Sequence, residues 1–286
     1  MKSNVCYLIT TFNRRHLLER AVSSVLPEMV NGDTLLVIDD ASGDDTSEYM
    51  NSLLSTRSSV LYHRMDENSG INKVRQKAIE LAKEQSCQWL TFVDDDDQLI
   101  SGIREDFDKV QKQVVCDWIA YPSEDPSGNI LSRFPHEGQF SYVEDYMGAR
   151  DIRGDFQHFL KIDVAAQCHF TTRFKNAEEW YFWCQVDRFS PWFIRDFPGV
   201  VKQYLETGLS KSGFNRDRQL QVAEMKVDAL RGNMHDKYFS KQLRNLARAK
   251  IKNGDGAGAR AVLKEAIALR PFQVALYKYY LLACFK

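Results

Sequence analysis

Residues 89–97 read WLTFVDDDD, and this stretch decides how the rest of the chain is interpreted. Five residues that favour strands run directly into four consecutive aspartates. A short apolar run bounded by polar residues is typical of a buried parallel strand, whose carboxyl end opens where α/β sheets bind ligands. Four adjacent carboxylates there repel one another and lose water, so they need protons or a cation. An all-oxygen cluster favours Mg²⁺ or Mn²⁺, and the alternative is a solvated acidic turn.

Length and composition indicate an ordinary globular protein. The 286 residues are 44% hydrophobic and 27% charged, enough for one large domain, alone or with an appendage. The net charge of −1 gives no indication of nucleic acid binding. Six scattered cysteines without a C-x-x-C spacing indicate neither a disulfide framework nor a zinc site. No stretch resembles a signal peptide or reaches membrane-span length, so we expect a cytoplasmic protein.

Strand and helix patterns alternate through the first hundred residues. Apolar runs at 5–9, 35–38, 60–64 and 89–93 are separated by segments with helical spacing of apolar residues. This βαβαβαβ order predicts an α/β fold with a parallel, doubly wound sheet. Its strand ends, at Thr10, Asp40 and residues 94–97, should share one edge. Neither G-x-G-x-x-G nor a P-loop motif is present, so carboxylates and a metal would hold any nucleotide there.

Three segments in this order resemble the motifs of family 2 glycosyltransferases, which have the GT-A fold. They are 10–14 (TTFNR), 37–42 (VIDDAS) and 92–97 (FVDDDD), and the resemblance covers residues 4–100 and extends more weakly to about residue 205. It implies a Rossmann-like, mostly parallel sheet flanked by helices. It also implies a hexosyltransferase-type enzyme that moves a sugar from a nucleotide diphosphate sugar, with a UDP-sugar favoured. The acceptor would be a glycan or lipid-linked glycan in surface polysaccharide or lipopolysaccharide synthesis.

The resemblance assigns roles to individual residues. Those implied to bind the nucleotide sugar are Thr10, Phe12, Asn13, Arg14, Asp40, Asn68, Gly70, Arg75, Asp94 and Asp95. Asp40 would face the base, and Arg75 would lie near the base or the diphosphate. Asp96, with Asp94, would hold Mn²⁺ or Mg²⁺ against the diphosphate, while Asp94 or Asp95 faces the ribose. Because the run contains four acids, this register is open by one residue.

Each role has a simpler alternative. Thr10 could only end a strand, and Asp39 could cap the next helix. Arg75 could pair with Glu80 or Asp66 on the surface.

Residues 174–183, FKNAEEWYFW, form the second stretch with chemical character. A carboxylate beside aromatic rings is partly desolvated, which moves its pKa towards that of a general base. The stretch is similar to the family's Glu-Asp motif, which opens a helix and supplies the base of an inverting reaction. Here the second acid is Glu179, which reaches about 1.5 Å further than Asp, so Glu178 remains an alternative base. The simpler interpretation is two acids at a helix N-terminus.

The sequence suggests a division at residue 215. Residues 1–215 would form the catalytic domain, with a nucleotide-sugar half (1–122) and an acceptor half (123–215). Within it, 199–212 could form a strand and loop that bring Lys202 or Lys211 to the diphosphate. Residues 216–286 read as helices.

Apolar positions in the helical extension match a tetratricopeptide-like hairpin that turns at 253–256. These positions are Leu243, Leu246, Ala247, Ala259, Leu263, Ala266 and Pro271. A single repeat cannot bury its own face, so it must dock on the catalytic domain, a partner or a second copy. Between Lys202 and Arg270 there are 15 Lys or Arg against 7 Asp or Glu. With the apolar end 274–285, this leaves open a docked helix, a homodimer contact, or peripheral contact with the inner face of the membrane.

Other function classes fit the sequence less well. A nucleotidyltransferase would need a stronger phosphate-binding glycine loop than residues 68–70 offer. A signalling receiver would carry its acid pair after the first strand, whereas here the pair follows the second. A non-catalytic interaction scaffold with a receiver-like α/β domain would not need acids at both 94–97 and 178–179.

Overall fold

The structure is a computed structural model that describes residues 3–203 and 215–286. These residues group into two compact units. The first contains the described residues up to 141 together with 151–203, and the second contains 142–150 together with 215–286.

The amino-terminal part of the first unit alternates strands and helices as predicted. In chain order its elements are β1 (Val5–Thr11), α1 (Arg15–Val25), β2 (Thr34–Asp39), α2 (Thr46–Leu54), β3 (Val60–Arg64), α3 (Ile71–Lys83) and β4 (Trp89–Asp94). The four strands are parallel, in the order β3-β2-β1-β4. Strand β1 lies between β2 and β4 and is buried along its whole length, which explains its continuous apolar sequence. The α/β prediction is confirmed.

The rest of the first unit widens this sheet with both antiparallel and parallel pairings. Its elements are β5 (Gln98–Leu99), α4 (Ile103–Gln113), β6 (Trp118–Glu124), β7 (Gly138–Phe140), β8 (Phe156–Lys161), α5 (Ile162–Ala165), α6 (Trp180–Val186), β9 (Trp192–Ile194) and β10 (Val200–Val201). Strand β8 pairs antiparallel with both β4 and β6. Of the predicted strand and loop at 199–212, β10 is described, while Lys211 lies outside the described residues.

Helices α1 and α3 bury the faces that their apolar spacing predicts. Helix α1 buries Leu17, Leu18, Ala21, Val22 and Val25, and α3 buries Val74, Ala78, Ile79 and Ala82. The core continues under β4, where the Phe107 ring lies 5.1 Å from Trp89 and stacks on Phe159 at 4.4 Å. This packing fixes the strand ends.

The carboxyl ends of β1, β2 and β4 meet at one edge. Thr10 stands opposite Ile38 of β2 and Asp94 of β4 in the strand register. The chain runs from β1 outwards through β2 and β3, then returns through α3 to β4 on the other side of β1. Such a reversal opens a crevice outside the strand ends, which is where ligands of α/β sheets bind.

The second unit consists of helices in its described part. They are a π-helical segment (Tyr142–Ala149), α7 (Arg216–Leu230), α8 (Asp236–Lys252), α9 (Gly256–Leu269) and α10 (Val274–Cys284). Helices α8 and α9 form the predicted hairpin, whose turn contains Gly254 at φ +81°. Helix α7 packs on α8, and α10 packs on α9 and α8, so the unit itself supplies neighbours for the hairpin.

None of the helices in the described ranges 3–203 and 215–286 is both long enough and apolar enough to cross a membrane.

Candidate active site

A pocket of about 270 Å³ opens at the edge where β1 and β2 end. It is lined by Thr10, Thr11, Phe12, Arg14, Asp40, Asn68, Gly70, Ile71, Val74, Asp95 and Asn176. Seven of the ten residues predicted to bind a nucleotide sugar are among them. The other three, Asn13, Arg75 and Asp94, are not. Asn13 instead ties two loops together, since its Oδ1 accepts a hydrogen bond of 2.6 Å from the Gly43 amide.

Asp40 organises one wall of the pocket. Its buried carboxylate accepts hydrogen bonds from the backbone amides of Ser69 (2.6 Å) and Gly70 (2.8 Å) and from Asn68 Nδ2 (3.0 Å). Gly70 has φ +84°, and a Cβ there would lie 2.5 Å from the backbone oxygen of Lys175. The turn at residues 68–70 is therefore held closed by a carboxylate and needs glycine at its last position.

The four acids at 94–97 alternate in exposure. Asp95 and Asp97 are buried and bonded inside the unit. Asp95 accepts from Thr11 Oγ1 at 2.8 Å, and Asp97 pairs with Lys202 Nζ at 2.6 Å. The side chains of Asp94 and Asp96 are 34% and 21% exposed. The two more exposed acids are thus the first and third, which have the spacing of a D-x-D pair, while Asp95 lines the pocket.

Different neighbours shift the pKa values of these acids in opposite directions. Burial raises the pKa of Asp95 to about 6, although Thr11 and Arg14 oppose the shift. Burial also acts to raise the pKa of Asp94, but Arg75 and Lys202 outweigh it and lower that pKa to about 2. Burial and the nearby Asp94 raise the pKa of Asp96. Asp94 is therefore already neutralised by protein cations, whereas Asp96 is a partly exposed acid whose charge a further cation would stabilise.

The carboxylate oxygens at this edge fit a divalent cation that a bound ligand would also coordinate. Asp96 offers hard carboxylate oxygens and has Arg14 as an ion-pair partner, at 3.4 Å. Among the residues that the structure describes, no group of three His, Cys, Asp or Glu converges to hold a metal ion. A cation bound by Asp96, with Asp94 nearby, would thus take its remaining ligands from a diphosphate and water.

Arg75 links the acids of β4 to the second chemical stretch. It is buried in α3, its Nη2 lies 2.5 Å from Asp94 Oδ1, and its Nη1 forms an ion pair with Glu179. Burial opposes its charge, but Glu179 and Asp94 together raise the pKa of Arg75. Its guanidinium also lies over the Phe92 ring, 5.7 Å from the centroid. The surface pairing with Glu80 or Asp66 is not what the structure shows.

Glu178 and Glu179 differ in environment. Glu178 accepts a 2.6 Å hydrogen bond from the indole nitrogen of Trp180, and it has a positive φ of 66°, as does Ala177 at 70°. Two consecutive non-glycine residues in this region store strain of the kind that clusters at functional sites. Glu179 caps α6, and its side chain is 44% exposed. Glu178 therefore contacts an aromatic side chain, whereas Glu179 forms an ion pair with Arg75.

Asn72 holds the strained segment in place, and sequence analysis missed it. Its buried Nδ2 donates to the backbone oxygens of Thr171 (3.1 Å), Phe174 (2.9 Å) and Ala177 (3.0 Å). The sequence did contain an indication of this role, because Asn72 is a polar residue beside the apolar face of α3. Lys202 was considered only as a diphosphate ligand, yet it contacts Asp97 and lies 3.6 Å from Asp94.

We expect Asn72→Ala to lower kcat/KM by about tenfold to a hundredfold, because misplacing a catalytic group by about 1 Å is enough for such a loss. The melting temperature should also fall, since three buried carbonyls lose their donor. The matched control is Asn51→Ala on the exposed face of α2, which should change neither quantity. Equal effects of the two substitutions would show that Asn72 does not position the segment.

Comparison with known proteins places this site in a family. The sequence model described as "Glycosyl transferase family 2" matches residues 6–180. One curated relative is GalNAc(5)-diNAcBac-PP-undecaprenol beta-1,3-glucosyltransferase of Campylobacter jejuni (subsp. jejuni serotype O:2), 32% identical over 96 residues, which are 33% of this chain and 30% of the relative. Another is the putative colanic acid biosynthesis glycosyl transferase WcaA of Escherichia coli K12, 33% identical over 102 residues, which are 34% of this chain and 35% of the relative. The chain thus spans about a third of each relative.

Solved structures show the same fold. S. aureus TarS 1–349, in complex with UDP-GlcNAc, superposes with a TM-score of 0.67 at 14% identity, over 94% of this chain and 81% of TarS 1–349. The mannosyltransferase PcManGT from Pyrobaculum calidifontis, in complex with GDP-Man and Mn²⁺, gives a TM-score of 0.56 at 13% identity, over 100% of this chain and 87% of that one. The fold is GT-A, and because the family model covers more than half of the chain, the protein belongs to glycosyl transferase family 2.

Proposed function

We propose that this glycosyltransferase is metal-dependent and inverting. It moves a sugar from a nucleotide diphosphate sugar to an acceptor hydroxyl. The single observation that carries this proposal is the arginine shared by Asp94 and Glu179. Arg75 holds Asp94, an acid of the D-x-D pair, and Glu179, a candidate base, at two nitrogens of one guanidinium group. Donor and acceptor chemistry can therefore take place at one point of the sheet edge.

The donor occupies the pocket beside β1 and β2. Phe12, which is 41% exposed at the pocket, offers a ring for a base to pack against. Asp40 keeps the 68–70 turn closed around the base, and Thr10, the residue before the last of β1, lines the same pocket. Arg14 lies between the pocket and the acids Asp95 and Asp96, where its charge can reach a diphosphate. A UDP-sugar is the favoured donor, since TarS binds UDP-GlcNAc, although PcManGT binds GDP-Man.

Asp96, with Asp94 beside it, holds Mn²⁺ or Mg²⁺. A bound divalent ion supplies positive charge that stabilises a departing nucleotide diphosphate. The residues of the chain itself contribute the cations Arg14 and Lys202 at the same edge. PcManGT, which has this fold, contains Mn²⁺ in its structure.

Glu179 acts as the general base. It takes the proton of an acceptor hydroxyl, whose oxygen forms a bond to C1 of the sugar. The bond between C1 and the diphosphate oxygen breaks, and the electron pair leaves with the nucleotide diphosphate. Attack from the side opposite the leaving group inverts the anomeric centre. Glu178 shapes the acceptor side through its hydrogen bond to Trp180.

The acceptor class follows from the relatives. The Campylobacter relative is named for a glycan linked to undecaprenol diphosphate, and the Escherichia relative for colanic acid biosynthesis. A glycan or lipid-linked glycan of a surface polysaccharide or lipopolysaccharide, elongated in the cytoplasm, is the corresponding acceptor here. In this proposal residues 1–215 carry catalysis and 216–286 are an accessory extension, with which the π-helical segment 142–149 groups.

Thermal-shift measurements test the donor and metal assignments together. With UDP or UDP-GlcNAc at about a hundred times Kd, and with Mn²⁺, the melting temperature should rise by roughly 5 °C. The rise should shrink when a chelator replaces Mn²⁺. GDP and GDP-mannose, measured in parallel, identify the preferred base. If no nucleotide shifts the transition with or without Mn²⁺, the proposed donor site is wrong.

A further inference from the structure

Helix α8 of the second unit carries a stripe of five cations. These are Lys237, Lys241, Arg244, Arg248 and Lys252, which we call the basic stripe. Their spacings of four, three, four and four residues place them on one face of the helix. The opposite face carries Leu243, Leu246 and Ala247, which are buried. The stripe therefore follows the outer side of a helix whose inner side is fixed in the unit.

The basic stripe lacks acidic partners in the part of the chain that the structure describes. Two other cations of the same unit are paired. Arg231 pairs with Glu265, and Lys250 with both Glu224 and Asp255. No carboxylate within ion-pair distance is found for any stripe residue among residues 3–203 and 215–286. An uncompensated row of like charges is destabilising by itself, and an external anion would relieve that repulsion.

Helix α10 adds an apolar face that is open to solvent. Val274, Tyr277, Leu281 and Phe285 recur on one side of the helix, with exposed fractions of 80%, 44%, 62% and 86%. Phe272, just before the helix, is 96% exposed. We call these five residues the apolar face. Residues 266–286 contain Arg270, Lys278 and Lys286 but no acid, so this surface is both apolar and basic.

The two features lie on neighbouring helices, because α10 packs on α8. The Arg248 guanidinium lies 5.5 Å from the centroid of the Tyr279 ring, which joins the basic stripe of α8 to α10. We propose that the basic stripe and the apolar face together dock the protein on a bilayer that contains anionic phospholipid. The cations meet lipid phosphates while the apolar side chains enter the boundary between headgroups and acyl chains.

Two other occupants fit this combination less well. A soluble polyanion such as RNA would satisfy the basic stripe but leave the apolar face in water. A second copy of the chain would cover the apolar face but bring two rows of uncompensated cations towards each other. A lipid interface alone offers negative charge and apolar surface side by side, and this holds whichever sugar the enzyme transfers.

Co-sedimentation of the full chain with vesicles tests the proposal. The vesicles are phosphatidylcholine alone, or phosphatidylcholine with about 30% phosphatidylglycerol. The first variant is the triple substitution Lys241→Gln, Arg244→Gln and Arg248→Gln, and the second is the pair Leu281→Ser and Phe285→Ser. The matched control removes three exposed cations of the first unit, through Arg57→Gln, Lys83→Gln and Lys112→Gln. Circular dichroism melting confirms that each variant is folded.

We expect the wild-type chain to sediment with the anionic vesicles at low salt and to dissociate from them at about 0.5 M salt. The triple stripe variant should bind on the order of a hundredfold more weakly, because each cation near an anionic surface contributes separately. The serine pair should lose about tenfold or more. The control triple should stay within about threefold.

Three results would overturn the proposal. The first is no sedimentation of the wild-type chain with anionic vesicles at low salt. The second is an equal loss for the stripe triple and the control triple, which would indicate net charge alone. The third is binding to RNA but not to vesicles, or a dimer in light scattering that the serine pair dissociates without changing vesicle binding.

Discussion

Glu179→Gln is expected to lower kcat by about a thousandfold, because general base catalysis typically contributes that order of rate. Glutamine keeps the size of the side chain and an oxygen that can face Arg75, but it cannot accept the acceptor's proton. Donor affinity should change far less than kcat, by a few-fold at most through the lost Glu179–Arg75 ion pair, since the proton transfer itself occurs only in the transition state. Single-turnover rates and calorimetric titration with UDP separate these two quantities.

Glu178→Gln is the matched control for this prediction. The Glu178 carboxylate accepts the Trp180 indole hydrogen bond, which a glutamine oxygen can still accept, so its loss of kcat should be much smaller. A thousandfold loss in Glu178→Gln together with full activity in Glu179→Gln would move the base to Glu178. The anomeric configuration of the product, read by NMR, tests the stereochemistry, and a retained configuration would falsify the inverting mechanism.

Asp96→Asn is expected to lower kcat/KM by on the order of a thousandfold, since metal stabilisation of a leaving group contributes several kcal/mol. Asp96 is partly exposed, and burial and Asp94 raise its pKa, so a bound cation would stabilise its charged form. The amide removes that charge at nearly constant volume. Calorimetric titration with UDP, with and without Mn²⁺, should show that the enhancement by Mn²⁺ is lost.

Asp97→Asn provides the comparison within the same run of acids. Asp97 is buried against Lys202, so its substitution should lower the melting temperature and leave the Mn²⁺ enhancement in place. If instead Asp94→Asn abolishes the enhancement and Asp96→Asn retains it, the metal-binding acid is the first of the run and not the third.

The parallel half of the fold was predictable because its signals are local. Apolar runs and helical spacing identify β1 to β4, α1 and α3, and right-handed crossovers bring Thr10, Asp40 and residues 94–97 to one edge. The antiparallel half was not predictable in the same way. Strand β8 ends at Lys161, and its pairing with β4 and β6 follows from tertiary packing.

The candidate site was predicted as a set of residues but not as a set of contacts. Arg75 was expected near the nucleotide, whereas the structure places it between Asp94 and Glu179. Periodicity held a clue, since Arg75 lies on the face of α3 that also carries Ala78, Ile79 and Ala82. A buried cation needs carboxylate partners from other parts of the chain, but the sequence alone does not identify these partners.

The Arg75 guanidinium forms ion pairs with two acids, Asp94 on the donor side and Glu179 on the acceptor side. Binding on one side is therefore energetically coupled to binding on the other. If a cation and a diphosphate interact with Asp94, the Arg75–Asp94 ion pair weakens and the ion pair between Arg75 and Glu179 changes in strength. In the proposed mechanism, occupancy on the donor side would thus alter how strongly Glu179 binds an acceptor hydroxyl. By linkage the effect is mutual, so an acceptor hydroxyl at Glu179 changes the affinity for the donor by the same factor. Cooperation between the two substrates is therefore a consequence of where a single arginine lies.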